Sequence, residues 1–258
     1  MLDLGLGTDA LWSDLAFAGV VASAFAVQGT IGFGAMLVAV GVGGQLMPLE
    51  RLVPIGLLLS IPPNLLLIAR DHRHIDRRLL FGRVLPAMAL GVPVGVWLLG
   101  AAPDAAVRIA YGSFVAALAV RELWRSRPGG SGAGAPLDTP RALGLLGVGG
   151  VVHGMFSTGG PMVVTVVGRL GLDKRVFRAT LLALWLTLGV WTATGHAIAG
   201  RLDAETVVRA AKLLPALAIG TWLGDRLHDR VDPARFARWV QGLLVAAGLS
   251  LIIRALLG

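Results

Sequence analysis

The sequence predicts an all-α polytopic membrane protein made of two homologous halves, on three observations: its composition, a matched pair of interrupted apolar runs, and an internal repeat. Of 258 residues, 55% are hydrophobic and 15% charged, and the mean hydropathy is +0.76. Soluble domains carry about 25% charged residues. Here the charges fall between apolar runs, and a bilayer-spanning helix needs about 20 residues. The absence of cysteine excludes disulfides, thiol catalysis and cysteine-ligated metal. The net charge of +8 lies in the connections between runs, where it reads as a topology signal rather than a nucleic-acid surface. Met1 to Asp14 holds no Lys or Arg, so it lacks the basic start of a signal peptide. The first apolar run is therefore expected to stay in the protein.

The apolar runs cover approximately 15–46, 52–69, 84–100, 106–120, 142–168, 180–199, 207–224 and 237–257. Two of them are interrupted. The first breaks at Gln28-Gly29-Thr30-Ile31-Gly32-Phe33-Gly34 and the fifth at Phe156-Ser157-Thr158-Gly159-Gly160-Pro161. Non-helical backbone at membrane depth leaves unpaired amides and carbonyls, tolerated only where protein buries them or they line a cavity. A matched pair of such breaks points to a transport site.

The repeat confirms that the breaks correspond. Leu85-Pro86-Ala87-Met88-Ala89-Leu90-Gly91, with Gly95 following, recurs as Leu214-Pro215-Ala216-Leu217-Ala218-Ile219-Gly220, with Gly224 following. Pro103, Arg108 and Gly112 recur as Pro233, Arg238 and Gly242, and an offset of 128 pairs Thr30 with Thr158. Residues 1–124 and 142–258 are the expected halves, joined by a flexible Gly/Pro/Ser-rich linker at 125–141.

Charge counting selects a topology. If all eight runs cross, Lys and Arg divide 13 to 10. If each broken run is instead a re-entrant hairpin, one face collects 17 and the other keeps six: Arg51, Arg108, Arg201, Arg209, Lys212 and Arg254. The second division has the asymmetry of a cytoplasmic face. Each half then holds a broken hairpin and three spans, so the halves are inverted repeats with the basic loops cytoplasmic and both termini outside. The hairpin arms, 15–28 and 33–46, are expected to be about 14 residues each, roughly 21 Å of helix. The straight eight-span arrangement is the alternative.

Several residues could carry chemistry. Pro161 after Gly159-Gly160 suits the first position of a half-helix, whose free N–H groups and positive dipole end favour an anion. Ser157 and Thr158 add hydroxyls. In the first half Gln28 and Thr30 add donors, while Gly32, Phe33 and Gly34 bring backbone close to a ligand. The competing reading is that these glycines serve tight helix packing. Asn64 follows Pro62-Pro63, and the 128-residue offset sets it opposite Thr192; it is either a ligand contact or a partner for carbonyls that the prolines free. His153 and His196 lie within apolar runs, where ionisable groups are costly, and are candidates for a proton or pocket role. Trp185, Trp191 and Trp222 could wall a cavity, although tryptophans more often anchor or pack. A Ser157–His196 dyad would make an intramembrane hydrolase, but the residues around Ser157 do not form a G-x-S-x-G elbow.

With these residues the sequence resembles the TauE/SafE family of sulfite-exporter-like permeases over about residues 12–256. Gly29-Thr30-Ile31-Gly32-Phe33-Gly34 is similar to the family's first glycine motif and Ser157-Thr158-Gly159-Gly160-Pro161 to its second. Lys174-Arg175-Val176-Phe177-Arg178-Ala179-Thr180 is similar to the basic stretch that follows. The chain departs from the family where Val38-Ala39-Val40-Gly41 lacks an early proline and where His153 replaces a small residue. The resemblance implies transport of sulfite, organosulfonates or related carboxylates across the cell inner membrane.

The expected function is therefore alternating-access transport of a small anion at a midplane site between the two breaks, with an anion channel as the rival. No metal or organic cofactor is expected. The expected partners are the anion, the bilayer and, as an open alternative, a second copy in a homodimer.

Overall fold

Glycine and proline set where helices stop in this chain, and the computed structural model follows them. It describes residues 8–31, 34–125, 135–228 and 230–257, which are helical with no strand. The first series is α1 (Thr8–Ile31), α2 (Ala35–Gly43), α3 (Leu49–Asp71), α4 (Arg77–Ala101) and α5 (Asp104–Arg125). The second is α6 (Thr139–Phe156), α7 (Gly160–Val167), α8 (Lys174–Ile198), α9 (Ala204–Lys212), α10 (Leu214–His228) and α11 (Pro233–Leu257). Among the described residues α3, α4, α8 and α11 are long and apolar enough to cross a membrane; the bent pair α9–α10 makes a fifth if counted as one span. Most of the expected linker, 126–134, lies outside the described residues.

Two equal arms of about 14 residues do not form. The arms have 24 and 9 residues at the first break and 18 and 8 at the second. At 1.5 Å per residue these are roughly 36, 14, 27 and 12 Å. Apolarity marks where hydrocarbon begins, whereas a helix continues until its backbone is capped. Asp138, for example, starts α6 in polar sequence by accepting from Arg141 N–H at 3.2 Å. Both short arms double back. A Cβ on Gly43 would lie 3.1 Å from the Phe17 ring, and one on Gly149 would lie 2.9 Å from Met162 Cβ.

Lipid is as apolar as leucine, so helices in a membrane associate through close packing rather than burial from water. The most extensive contacts are α4 with α6, α1 with α10, and α5 with α11. Glycine permits all three, and at the third a Cβ on Gly112 would sit 2.5 Å from Gly248 O. A Cβ on Gly95 would sit 2.1 Å from Val151 O, and one on Gly220 would sit 2.2 Å from Ala22 O. The repeated Leu-Pro is absorbed in two ways. Proline has no N–H and clashes with the preceding turn. Ahead of Pro86 the helix widens into a π turn at Leu80–Val84, whereas ahead of Pro215 it breaks at Leu213 with a 40° bend.

Polar contacts gather the connections into two groups. In one, Arg201 pairs with Glu50 and Arg209 with Asp14, Arg108 donates to Gly44 O, and Arg254 donates to Gln45 O. In the other, Asp76 N–H donates to Thr180 Oγ1, Arg83 to Thr139 Oγ1, and Arg169 to Ala135 O.

Candidate functional site

The second break is built by α6 stopping at Phe156. Ser157 leaves the helix in the left-handed region, at φ 55° and ψ 27°, and its N–H caps His153 O at 2.7 Å. It is the one non-glycine residue with positive φ among those described. A side chain there costs energy that the surroundings must offset, a common feature of functional sites. The helix resumes at Gly160 as α7, with Pro161 in its first turn. The Cβ position of Gly160 lies 3.7 Å from the Trp185 ring of α8. Trp185 in turn stacks on His153, centroids 5.8 Å apart at 16°.

The electrostatic signature of this region is unmet hydrogen bonding. Seven buried side-chain atoms find no protein partner: Ser157 Oγ, Thr158 Oγ1, Thr192 Oγ1 and both ring nitrogens of His153 and His196. All belong to the α6–α7 break or to α8. A buried donor or acceptor left unpaired costs about 1–3 kcal/mol, so a cluster of them calls for a polar occupant. Because Ser157 Oγ and the His196 nitrogens are each unpartnered, the serine–histidine dyad of a hydrolase is not formed.

The first break differs. Gly32 and Phe33 lie outside the described residues. Gly34, at φ 99°, turns the chain into α2. Thr30 is buried, and its hydroxyl donates to Ala26 O at 2.8 Å and approaches Gly224 O of α10 at 3.4 Å. Gln28 is half-buried on α1. Asn64 is buried in α3 one turn beyond Ile61, which lies 4.0 Å from the Cβ position of Gly189 on α8. Trp191 and Trp222 are not cavity walls. They are 46% and 52% exposed; Trp191 Nε1 donates to Ala89 O, and Arg226 lies 4.1 Å over the Trp222 ring.

Tyr111 joins the two breaks, and no pattern in the sequence marked it. It is the chain's one tyrosine and is fully buried on α5. Its hydroxyl donates to Leu37 O of α2 at 3.1 Å, and its ring packs 4.7 Å from that of Phe156 at the end of α6. A mid-span polar aromatic was the only available signal.

Among the described residues no group of three His, Asp or Glu side chains could hold a metal ion. Two surface clefts, about 360 Å³ by Asp76 and Arg83 and about 470 Å³ by Asp14 and Arg209, contain no residue of either break.

The model of one family, described as sulfite exporter TauE/SafE, matches residues 15–251. A probable inner membrane transporter protein TsaS of Comamonas testosteroni is 30% identical over 196 residues, 76% of this chain and 80% of that protein. A probable sulfite/organosulfonate exporter TauE of Cupriavidus necator is 27% identical over 239 residues, 89% of this chain and 90% of that protein. No solved structure gives a significant match.

Proposed function

The chain belongs to the sulfite exporter TauE/SafE family, and from that premise we propose that it carries a small sulfonate, sulfite or carboxylate anion across the inner membrane by alternating access. The observation that carries this is the set of buried, unpartnered polar side chains at the α6–α7 break. An anion there would accept hydrogen bonds from Ser157 and Thr158. The N–H groups opening α7 at Gly159, Gly160 and beyond Pro161 would add the positive end of the helix dipole. The Tyr111 bridge supports an approach of the first break to this site, with Gly34, Gln28 and Thr30 on its side and Asn64 and Trp185 shaping the wall.

The grouped connections support inverted repeats, with halves at 1–124 and 142–258. In the eight-span arrangement, Glu50 with Arg201, Gln45 with Arg254, Asp76 with Thr180 and Ala135 with Arg169 would each have to join opposite sides of the bilayer. In the hairpin arrangement each lies on one side. The face rich in Lys and Arg is then cytoplasmic and both termini are outside. Rocking of one half against the other would alternate access to a site near midplane.

Proteoliposomes test the proposal with radiolabelled methanesulfonate and sulfite. A carrier gives saturable uptake that is stimulated by the same anion on the far side. A conductance that scales with potential and never saturates would identify the rival, a channel.

A further inference from the structure

Two imidazoles in the core make no hydrogen bond to the protein. His153 on α6 and His196 on α8 are 5% and 0% exposed, and none of their four ring nitrogens has a protein partner. A neutral imidazole carries one donor and one acceptor, and a histidine kept for structure would normally have satisfied at least one. The two rings serve the same region. Val96 of α4 packs against both Gly154 and Gly195, the chain neighbours of the histidines. His153 stacks on Trp185, which reaches Gly160 at the start of α7, and Thr192 lies one turn before His196.

Apart from Tyr111, whose hydroxyl is bonded to Leu37 O, the surroundings leave these as the titratable groups of the described core. No Asp, Glu, Lys or Arg occurs in 52–69, 85–101, 142–167 or 179–198, the inner stretches of α3, α4, α6, α7 and α8. The charged residue joined to the end of α8 is Arg201, whose backbone N–H donates to His196 O at 2.9 Å. Its guanidinium is already engaged by Glu50 Oε1 and Val96 O, both at 2.8 Å.

Building on the transport proposal, we infer that His153 and His196 form a proton-binding pair that couples the anion to the proton gradient. A proton from water on the loading side binds a ring nitrogen of one histidine as the anion settles at the α6–α7 break. Both leave to water on the far side, and no other bond forms or breaks. An anion alone in this apolar core is costly, and an adjacent imidazolium offsets that cost. Two imidazolium ions on either side of Val96 in one apolar core repel, so the pair takes one proton at a time. A singly charged anion therefore crosses in an electrically neutral complex. By reciprocity, the anion binds more tightly as pH falls.

The test uses the full chain in proteoliposomes and methanesulfonate, which stays ionised throughout the working range. With the membrane potential clamped at zero, an acid exterior drives accumulation in the alkaline lumen, to a limit of about tenfold per pH unit. His153→Gln and His196→Gln abolish this accumulation, and the reduced methanesulfonate exchange that remains at equal pH no longer strengthens as pH falls. Exchange by the wild type without gradient-driven accumulation overturns the coupling and leaves the transport proposal standing. Accumulation retained in both variants also overturns it. Absence of any exchange of methanesulfonate or sulfite by the wild type overturns transport and coupling together. If the variants do not fold, the wild type decides by thermal shift. Methanesulfonate raises its melting temperature more at about pH 6 than at about pH 8, and equal shifts count against the pair.

Discussion

The break between α1 and α2 and the break between α6 and α7 interrupt corresponding runs, yet they dispose of their polar groups in opposite ways. At the first, the Thr30 hydroxyl donates back to Ala26 O within the α1–α10 contact, and a glycine takes the left-handed turn. At the second, a serine takes that turn, and the hydroxyls of Ser157 and Thr158 have no partner. At the first break, the described hydroxyl is held by its own helix. The other is strained and unsatisfied, the condition expected where a ligand completes the structure. On the proposed reading, the second break makes the stronger contacts to the anion.

The strongest way to break the comparison is to remove the scaffold beneath each site. A Cβ on Gly154 would lie 2.3 Å from Val92 O, and one on Gly224 would lie 2.6 Å from Ala26 O. Gly154→Leu and Gly224→Leu should each cost about 3 kcal/mol or more through overpacking, measured as loss of monodisperse protein. If one folds and the other does not, the two helix pairs are not equivalent supports.

The next effect separates the breaks themselves. Ser157→Gly with Thr158→Val should reduce anion exchange at least tenfold while holding or raising the melting temperature, because strain and unmet hydroxyls are removed together. Thr30→Val should do the reverse, costing about 1 kcal/mol of stability with little change in exchange. An equal loss of exchange in both would show that the first break also binds ligand directly. Tyr111→Phe keeps the ring but loses the bond to Leu37 O. It should cost about 1 kcal/mol in thermal or denaturant unfolding, and a neutral result would mean that the bridge is not a tie.

The smallest effect lies outside both breaks. Asp203 caps α9 by accepting from Thr206 N–H at 2.8 Å, which holds its carboxyl below the ordinary 3.8. A lowered folded value stabilises above the unfolded pKa and is lost as pH falls through the folded one. The helical content of α9 should therefore be flat from about pH 5 to 8 and decline only in strong acid. Asp203→Ala should remove that acid decline.

The membrane class, the helical fold and both breaks were legible because composition and helix breakers are local properties. The closing of Thr30 was not, since Gly224 lies 194 residues away and a threonine in an apolar run looks the same whether bonded or free. The outward-facing side chains of Trp191 and Trp222 were not legible either, for a related reason. Lipid and protein core are both apolar, so periodicity cannot say which face of a membrane helix is inward. The arm lengths failed because glycine positions a break but says nothing of how far each helix runs from it. Tyr111 was invisible as a bridge because its partners, Leu37 and Phe156, are distant in sequence on either side.

The two groups of connections also have an electrical consequence. On the proposed arrangement, one mouth of the protein presents seventeen cations against eight carboxylates, and the other six against seven. An anion is concentrated by the field at the first mouth and not at the second. Capture from the cytoplasmic side should therefore slow as ionic strength rises, while capture from the outer side stays nearly constant. The loops would act as a funnel that is wide at one end only, giving the core a preferred direction of loading from dilute solution.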